Sequence, residues 1–330
     1  LRELVRTNDV VLVSAIGALL NAAKIHHLVF DQNMSVLEGS LGVLAARILV
    51  ADEDVRTACR LLEDAGLANE LRPDVKASAG LDTTLDAVLG GRLKLRQPKR
   101  GHRVGHDAIL VAAATEAQPG EQAVDLGAGV GGAGLALARR VESVSVVLVE
   151  IDEALCELAR ENIQGNGLAD RARVLNLDVT ASGAFDAEGI NPGSIDRVLM
   201  NPPFNDPVRQ NVSPDALRRL AHAAPREALP LWVNTAMRLL AHEGVLTLIW
   251  RADGMPEVLD ALSAFGDIGV MPVLPRPGAD PIRVIARARK SGVTAPVTYA
   301  PLILNAENGR PSMEAEAVLR GGEPLRFAKD

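Results

Sequence analysis

Over residues 1–72, short apolar runs and amphipathic stretches follow one another in an order that predicts a small βαββα unit. RELVRT reads as a strand, Asn8 or Asp9 caps a helix running to about Ala23, and IHHLVFD and ARILVAD read as two further strands. Asp52 is placed to cap a second helix, EDVRTACRLLEDAG, which Gly66 ends. Residues 73–83 are small and polar, include Pro73 and Gly80, and predict a linker. From 84 to 330 the pattern changes to alternating strand-like and helix-like stretches. QAVDLGAG is a strand and turn, GGAGLALARRV a helix, SVSVVLVEID a strand, EALCELARENIQGNG a helix and ARVLNLDV a strand. IDRVLM is the next strand, LPLWVNTAMRLLAHEG a helix with Trp232 in its core stripe, and GVLTLIW a strand with Trp250 inside. Such alternation predicts an α/β fold with a doubly wound parallel sheet. The stretch IGVMPVLPRPGADPIRVIARARK adds a closing antiparallel hairpin.

Composition narrows the class. The chain has 330 residues, 48% hydrophobic and 23% charged, enough apolar material for a large domain beside a small one. No apolar run reaches the ~18 residues of a membrane span. Cys59 and Cys156 form no CxxC pair, which fits a reducing, cytoplasmic setting and leaves no thiolate metal site. His102 and His106 lie four apart, but no third ligand accompanies them and no metal is expected. A net charge of −7 argues against coating nucleic acid along the whole surface. One local exception is GRLKLRQPKRGHRVG, which holds Arg92, Lys94, Arg96, Lys99, Arg100 and Arg103 with no acid among them. It reads either as a solvated charged hairpin or as an anion-binding face.

Candidate chemistry begins at VDLGAGVGG, where Gly127, Gly129 and Gly132 have GxGxxG spacing between a strand and a helix. Missing β-carbons let the turn tighten and let a ligand lie on the backbone above a helix N-terminus. Any dinucleotide-binding fold shares this feature. Glu150 ends the next strand, where a carboxylate can take both ribose hydroxyls of an adenosine. Asp178 ends the strand after that and can accept from an adenine amine. Asp125, just before the glycines, suits an amino-acid ammonium rather than a pyrophosphate, which favours S-adenosylmethionine over NAD.

VLMNPPF, residues 198–204, ends a strand in an unusual way. A conjugated amine such as the exocyclic amine of adenine is a poor nucleophile, because its lone pair is delocalised into the ring. Two acceptors holding both N–H bonds would pull the nitrogen toward tetrahedral geometry. The side-chain oxygen of Asn201 and the backbone carbonyl of Pro202 fit that role. Pro203 restricts Pro202 to extended geometry and so aims its carbonyl. Phe204 offers a face for a base to stack on.

These residues resemble the class I, Rossmann-like methyltransferases and, among them, the bacterial valine-tRNA adenine methyltransferases. The resemblance runs from about Leu81 to the C-terminus and rests on GGRLKLRQPKRGHRVGHDAILVAAA, VDLGAGVGGAGLALA and VLMNPPF. It implies a seven-stranded sheet with its last strand antiparallel and S-adenosylmethionine as cofactor. By the same resemblance Arg103, Gly105 and Asp107 lie near the methionine end, Asp125, Gly127, Gly129, Glu150, Asp178 and Asn201 bind the cofactor, and Asn201, Pro202, Pro203 and Phe204 hold the target amine. The basic residues from Arg92 to Arg103, namely Arg92, Lys94, Arg96, Lys99, Arg100 and Arg103, would meet tRNA phosphates. Protein-glutamine and rRNA-guanine methyltransferases carry similar NPPF motifs, so a glutamine amide or guanine amine is the alternative acceptor. A cofactor-binding sensor without catalysis is a third reading. Residues 1–72 resemble a small bacterial signal-transducing domain that would bind a protein or a small ligand.

Overall fold

The computed structural model describes residues 1–30, 45–51, 54–72, 83–99, 103–181, 183–203 and 225–328. The chain divides into two compact units, Leu1–Asp82 and Thr83–Asp330. Among the described residues no helix is long and apolar enough to cross a membrane.

The first unit contains β1 (Arg2–Thr7), α1 (Val10–Ala22), β2 (His27–Phe30), β3 (Ala46–Val50) and α2 (Val55–Asp64). Its strands form an antiparallel sheet in the order β1-β3-β2. Asp9 is the residue that caps α1, its Oδ1 accepting the N–H groups of Val11 and Leu12 at 2.9 and 3.1 Å. Val13, Ile16 and Leu20 recur at helical spacing and pack with Ile48, Val50 and Leu62 into one core. Asp52, expected to cap α2, lies outside the described residues. Asp54 immediately precedes that helix and makes no side-chain cap bond.

The second unit opens with an antiparallel hairpin, β4 (Thr83–Val88) and β5 (Leu93–Pro98). Then follow α3 (His106–Ala114), β6 (Gln122–Leu126), α4 (Gly132–Arg140), β7 (Ser145–Glu150), α5 (Glu153–Gly165) and β8 (Ala172–Asn176). Next come α6 (Ala184–Ala187), β9 (Ile195–Met200), α7 (Pro225–Leu239), β10 (Leu240–Arg251) and α8 (Met255–Ala261). The last elements are β11 (Gly266–Leu274), β12 (Arg283–Arg289), β13 (Val297–Thr298), β14 (Leu302–Ile303) and α9 (Met313–Leu319).

The main sheet has the order β13-β11-β12-β10-β9-β6-β7-β8, with β14 also paired to β11. Strands β6 to β10 are mutually parallel, and β12 runs antiparallel to both of its neighbours. Seven strands therefore match the implied sheet. Two short additions, β13 and β14, extend it beyond β11. Successive side chains of β6 face opposite layers, as the period of a strand requires. Ala123 joins the layer of α3, α4 and α5, while Val124 and Leu126 join the layer of α7 and α8. The sheet is covered on both faces, which is why its parallel strands read as unbroken apolar runs.

One boundary differs from the expectation. The helix expected to run through Gly244 ends at Leu239, and Leu240 already pairs with Ile195 at the start of β9. The register shifts between Leu240 and Val245, so AHEG is a bulge in the strand rather than a helix end. A β-carbon at Gly244 would stand 3.0 Å from the carbonyl oxygens of Ala241 and Ile195, so only glycine allows this close passage.

Candidate active site

The carboxyl ends of β6, β7 and β9 meet at one edge, because these strands are parallel neighbours in the order β9-β6-β7. Leu126 pairs with Met200 and with Val149. Gly127, Glu150 and Asn201 are therefore each the next residue along. The register alone gathers three of the expected site residues.

The glycine turn is held from below. Gly127 and Ala128 both donate to the Val149 carbonyl at 2.9 Å. Gly127 has φ +71°, and a β-carbon there would stand 2.7 Å from Cζ3 of Trp232. That contact corrects the expectation of Trp232 as a plain core residue: its ring is half-buried and lies on the turn. Gly132 is covered by Val104, whose Cγ2 would be 2.6 Å from an added β-carbon. A β-carbon at Gly129 would meet nothing within 4 Å among the described residues, so the turn is open on that side.

Two carboxylates brace the turn. Glu150 accepts the Gly129 N–H on Oε2 at 2.8 Å and the Asp152 N–H on Oε1 at 2.9 Å. Burial raises its pKa despite these bonds. Asp125 is 2% exposed and accepts the Gly134 N–H on Oδ2 at 2.7 Å. Burial pushes its carboxyl up to about 7, with the Glu150 charge adding and the Gly134 bond opposing. Asp178 is exposed and accepts both the N–H and the hydroxyl of Thr180 on Oδ1, at 2.8 and 2.7 Å.

Asn201 follows β9 directly. Its Oδ1 is buried and has no hydrogen-bond partner among the described residues. An orphaned acceptor of this kind costs roughly 1–3 kcal/mol, which a ligand N–H would restore. Pro202 is buried and Pro203 half-buried, while Phe204 lies outside the described residues.

The hairpin β4–β5 is tied to this centre by side chains. Asp86 Oδ2 accepts from Gln97, Thr84 and Arg103, and these bonds hold its carboxyl below the ordinary range. Gln97 in turn accepts the Val104 N–H at 2.8 Å, which sets Val104 over Gly132. On the other edge of β5, Asn162 accepts the Arg96 N–H at 2.6 Å and donates to the carbonyls of Arg96 and Val130 at 2.9 and 3.0 Å. One turn later Asn166 pairs with both backbone groups of Lys94, at 2.9 and 2.7 Å.

Several of the expected basic contacts are used within the protein. Arg92 donates to the carbonyls of Leu89, Arg320 and Gly321, the last two just beyond α9. Arg96 pairs with Glu161 at 2.9 Å, and Arg103 is bound by Asp86, Thr84 and the Pro98 carbonyl. Asp107, in the first turn of α3, accepts from Arg283 at 2.9 Å, and Gly105 is the exposed residue preceding that helix. Lys94 and Lys99 are exposed, whereas Arg100 lies outside the described residues. Trp232 and Thr235 were missed as site residues by reasoning from the sequence. Thr235 donates to the Val179 carbonyl at 2.9 Å, beside Asp178. The available signal was an aromatic residue on the helix after the Asn-Pro-Pro motif, in a chain only 2% aromatic.

Two family models match parts of the chain. Residues 104–265 match the model described as "Methyltransferase small domain", and residues 1–66 the one described as "Putative prokaryotic signal transducing protein". A Parabacteroides distasonis tRNA1(Val) (adenine(37)-N6)-methyltransferase is 28% identical over 224 residues, covering 66% of this chain and 89% of the relative. A Chlorobaculum tepidum release factor glutamine methyltransferase is 29% identical over 169 residues, covering 49% and 56%. The crystal structure of an Agrobacterium tumefaciens protein titled a predicted O-methyltransferase is 28% identical with a TM-score of 0.57, covering 67% of this chain and all of that one.

The residues present fit S-adenosylmethionine: an open glycine at 129 lets a ligand lie on the turn, and buried carboxylates at 125 and 150 stand on either side of it. Residues 104–265 match the methyltransferase small-domain model, and the chain is an S-adenosylmethionine-dependent methyltransferase with a class I, Rossmann-like sheet.

Proposed function

We propose that this methyltransferase acts in the cytoplasm on the exocyclic amine of an adenine in tRNA. The observation that carries the reading is the Oδ1 of Asn201 at the end of β9, buried and without a partner among the described residues. A primary amine has two N–H groups; Asn201 takes one and the Pro202 carbonyl, aimed by Pro203, takes the other. Held this way, the nitrogen is drawn out of conjugation with its ring. S-adenosylmethionine supplies a methyl on a sulfonium, which makes that carbon electrophilic. With that cofactor bound, Asn201 and Pro202 would hold the nitrogen for transfer of the methyl, the electron pair of the S–C bond leaving with sulfur. The nitrogen then sheds a proton to water or a carbonyl, so no side chain has to act as base first.

Asp125 takes the cofactor's ammonium, Glu150 its ribose hydroxyls and Asp178 its adenine amine. Gly127 and Gly129 supply backbone to lie against, and Gly105 and Asp107 flank the methionine end. Lys94 and Lys99, exposed like Arg92 and Arg96, lie on the basic stretch that would meet RNA phosphates. Arg92, Arg96 and Arg103 add positive potential while engaged inside the protein, and Arg100 and Phe204 complete the RNA contacts and the stacking face. We assign methyl transfer to residues 84–330 and protein or small-ligand binding to residues 1–72, with 73–83 as linker. The name of the Parabacteroides relative supports the adenine acceptor. The name of the Chlorobaculum relative favours a second reading, a glutamine amide, which Asn201 would hold in the same way.

The test is incubation of the full chain with methyl-labelled cofactor, unmodified total tRNA and release factor, followed by nucleoside analysis. Label in N6-methyladenosine is the expected result. Label in protein alone, in a guanine, or nowhere overturns it.

A further inference from the structure

We propose that Trp232 forms the wall of the acceptor pocket beside Asn201 and selects a flat heteroaromatic acceptor over an aliphatic amide. This inference rests on the reading of Asn201 as the amine-holding residue.

The chain has two tryptophans, and they are treated differently. Trp250 is 5% exposed inside β10, whereas Trp232 is half-buried. The fully buried face of α7 is carried by Leu229, Val233 and Ala236, and Trp232 packs only at the margin of that layer. Its ring also reaches the end of β6 and contacts Gly127.

The direction of approach matters. Helix α7 packs on β9 and β10, and long side chains on a helix lean toward its N-terminal end. That end follows β9 and therefore lies at the carboxyl edge of the sheet. Trp232 thus arrives at Gly127 from the strand of Asn201, not from that of Glu150. Gly127 and Asn201 are neighbours on adjacent strands, since Leu126 pairs with Met200. Neighbouring strands are ~4.8 Å apart, a spacing that puts the ring edge within reach of a group held by Asn201.

The helix is also pinned. Thr235 is 4% exposed and bonded to the Val179 carbonyl, which fixes α7 against the loop that carries Asp178. A rigid indole next to a polar acceptor suits a purine, which offers a π-face along with its amine. An aliphatic amide offers only the amine. The same ring keeps bulk water away from the buried Asn201 oxygen.

Acrylamide quenching of tryptophan emission in the wild-type chain tests this directly, because buried Trp250 is shielded and the quenchable signal belongs to Trp232. S-adenosylhomocysteine alone should leave quenching nearly unchanged, and adenosine added on top should lower it at least about twofold. Protection by S-adenosylhomocysteine alone would place the ring on the cofactor, and no protection by either would place it outside the pocket. Either result overturns the proposal, as does protection by N-acetylglutamine amide but not by adenosine. In the transfer assay Trp232→Leu should raise the acceptor KM roughly five- to hundredfold, the range of lost base–aromatic contacts, with cofactor KM unchanged. Trp232→Phe should recover most of that loss. An equal rise in cofactor KM, or no change in either, overturns the assignment. Should the wild-type chain transfer nothing to RNA, the proposed reaction fails, while the quenching result still decides whether Trp232 faces an acceptor base.

Discussion

Asp125 and Gly134 meet across the glycine turn, the carboxylate Oδ2 accepting the backbone N–H at 2.7 Å. The residue before the turn is thereby tied to the helix after it, at the cost of a buried charge. Burial raises this carboxyl from 3.8 to about 7. The folded chain therefore binds a proton that the unfolded chain releases between those two values. Stability from this group is fully present below about 4 and is lost as pH rises through about 7, with a slope of up to ~1.4 kcal/mol per pH unit. Asp125→Asn keeps the acceptor without the charge. Thermal unfolding from pH 5 to 8 should show the variant gaining on the parent as pH rises, and parallel curves would refute the assignment.

Asn201 predicts an opposition between stability and activity. Asn201→Leu replaces an unpartnered buried acceptor with an apolar group of similar shape, which is neutral or stabilising by about 1 kcal/mol. The same change should lower methyl transfer by on the order of 10²–10³, the usual effect of deleting one preorganised polar contact. Affinity for S-adenosylhomocysteine, measured by calorimetry, should change little. A variant that melts earlier yet turns over normally would remove Asn201 from the acceptor site.

Gly127 should tolerate nothing larger. Gly127→Ala meets both a positive φ and the Trp232 ring, and a loss of about 2–4 kcal/mol is expected in chemical denaturation. Adding Trp232→Ala removes the clash but not the strain, so the two changes should couple by about 1 kcal/mol or more. Additive effects would mean the ring can move aside freely.

Asn162 is 2% exposed and links Arg96 to Val130. Asn162→Leu leaves three backbone groups without partners, a cost of roughly 2–4 kcal/mol. Because Val130 belongs to the glycine turn, S-adenosylhomocysteine affinity should fall with it. Unchanged affinity in a destabilised variant would confine Asn162 to holding the hairpin.

Much of this was legible in the sequence because it depends on local rules. Strand alternation, the glycine turn and the Asn-Pro-Pro break all mark their own positions, and register then brings Gly127, Glu150 and Asn201 together. What stayed hidden depends on long-range partners. Arg92 is drawn to carbonyls beyond α9, more than two hundred positions away, and no local pattern distinguishes it from a cation left for phosphate. Trp232 looked like a core residue because helical period places it near the buried stripe. Only the tertiary approach to Gly127 separates it from Leu229 and Val233. The end of α7 was misplaced because AHEG has helix-forming residues, and pairing of Leu240 with Ile195 overrides that preference.

The amides of Asn162 and Asn166 have one further consequence. A two-stranded hairpin presents a raw margin of N–H and C=O groups, the kind of template onto which another chain adds itself and begins to aggregate. At Lys94 and Arg96 those rungs are already taken by the molecule's own asparagines. The ribbon can thus stay short and strongly charged without becoming a seed for intermolecular zipping.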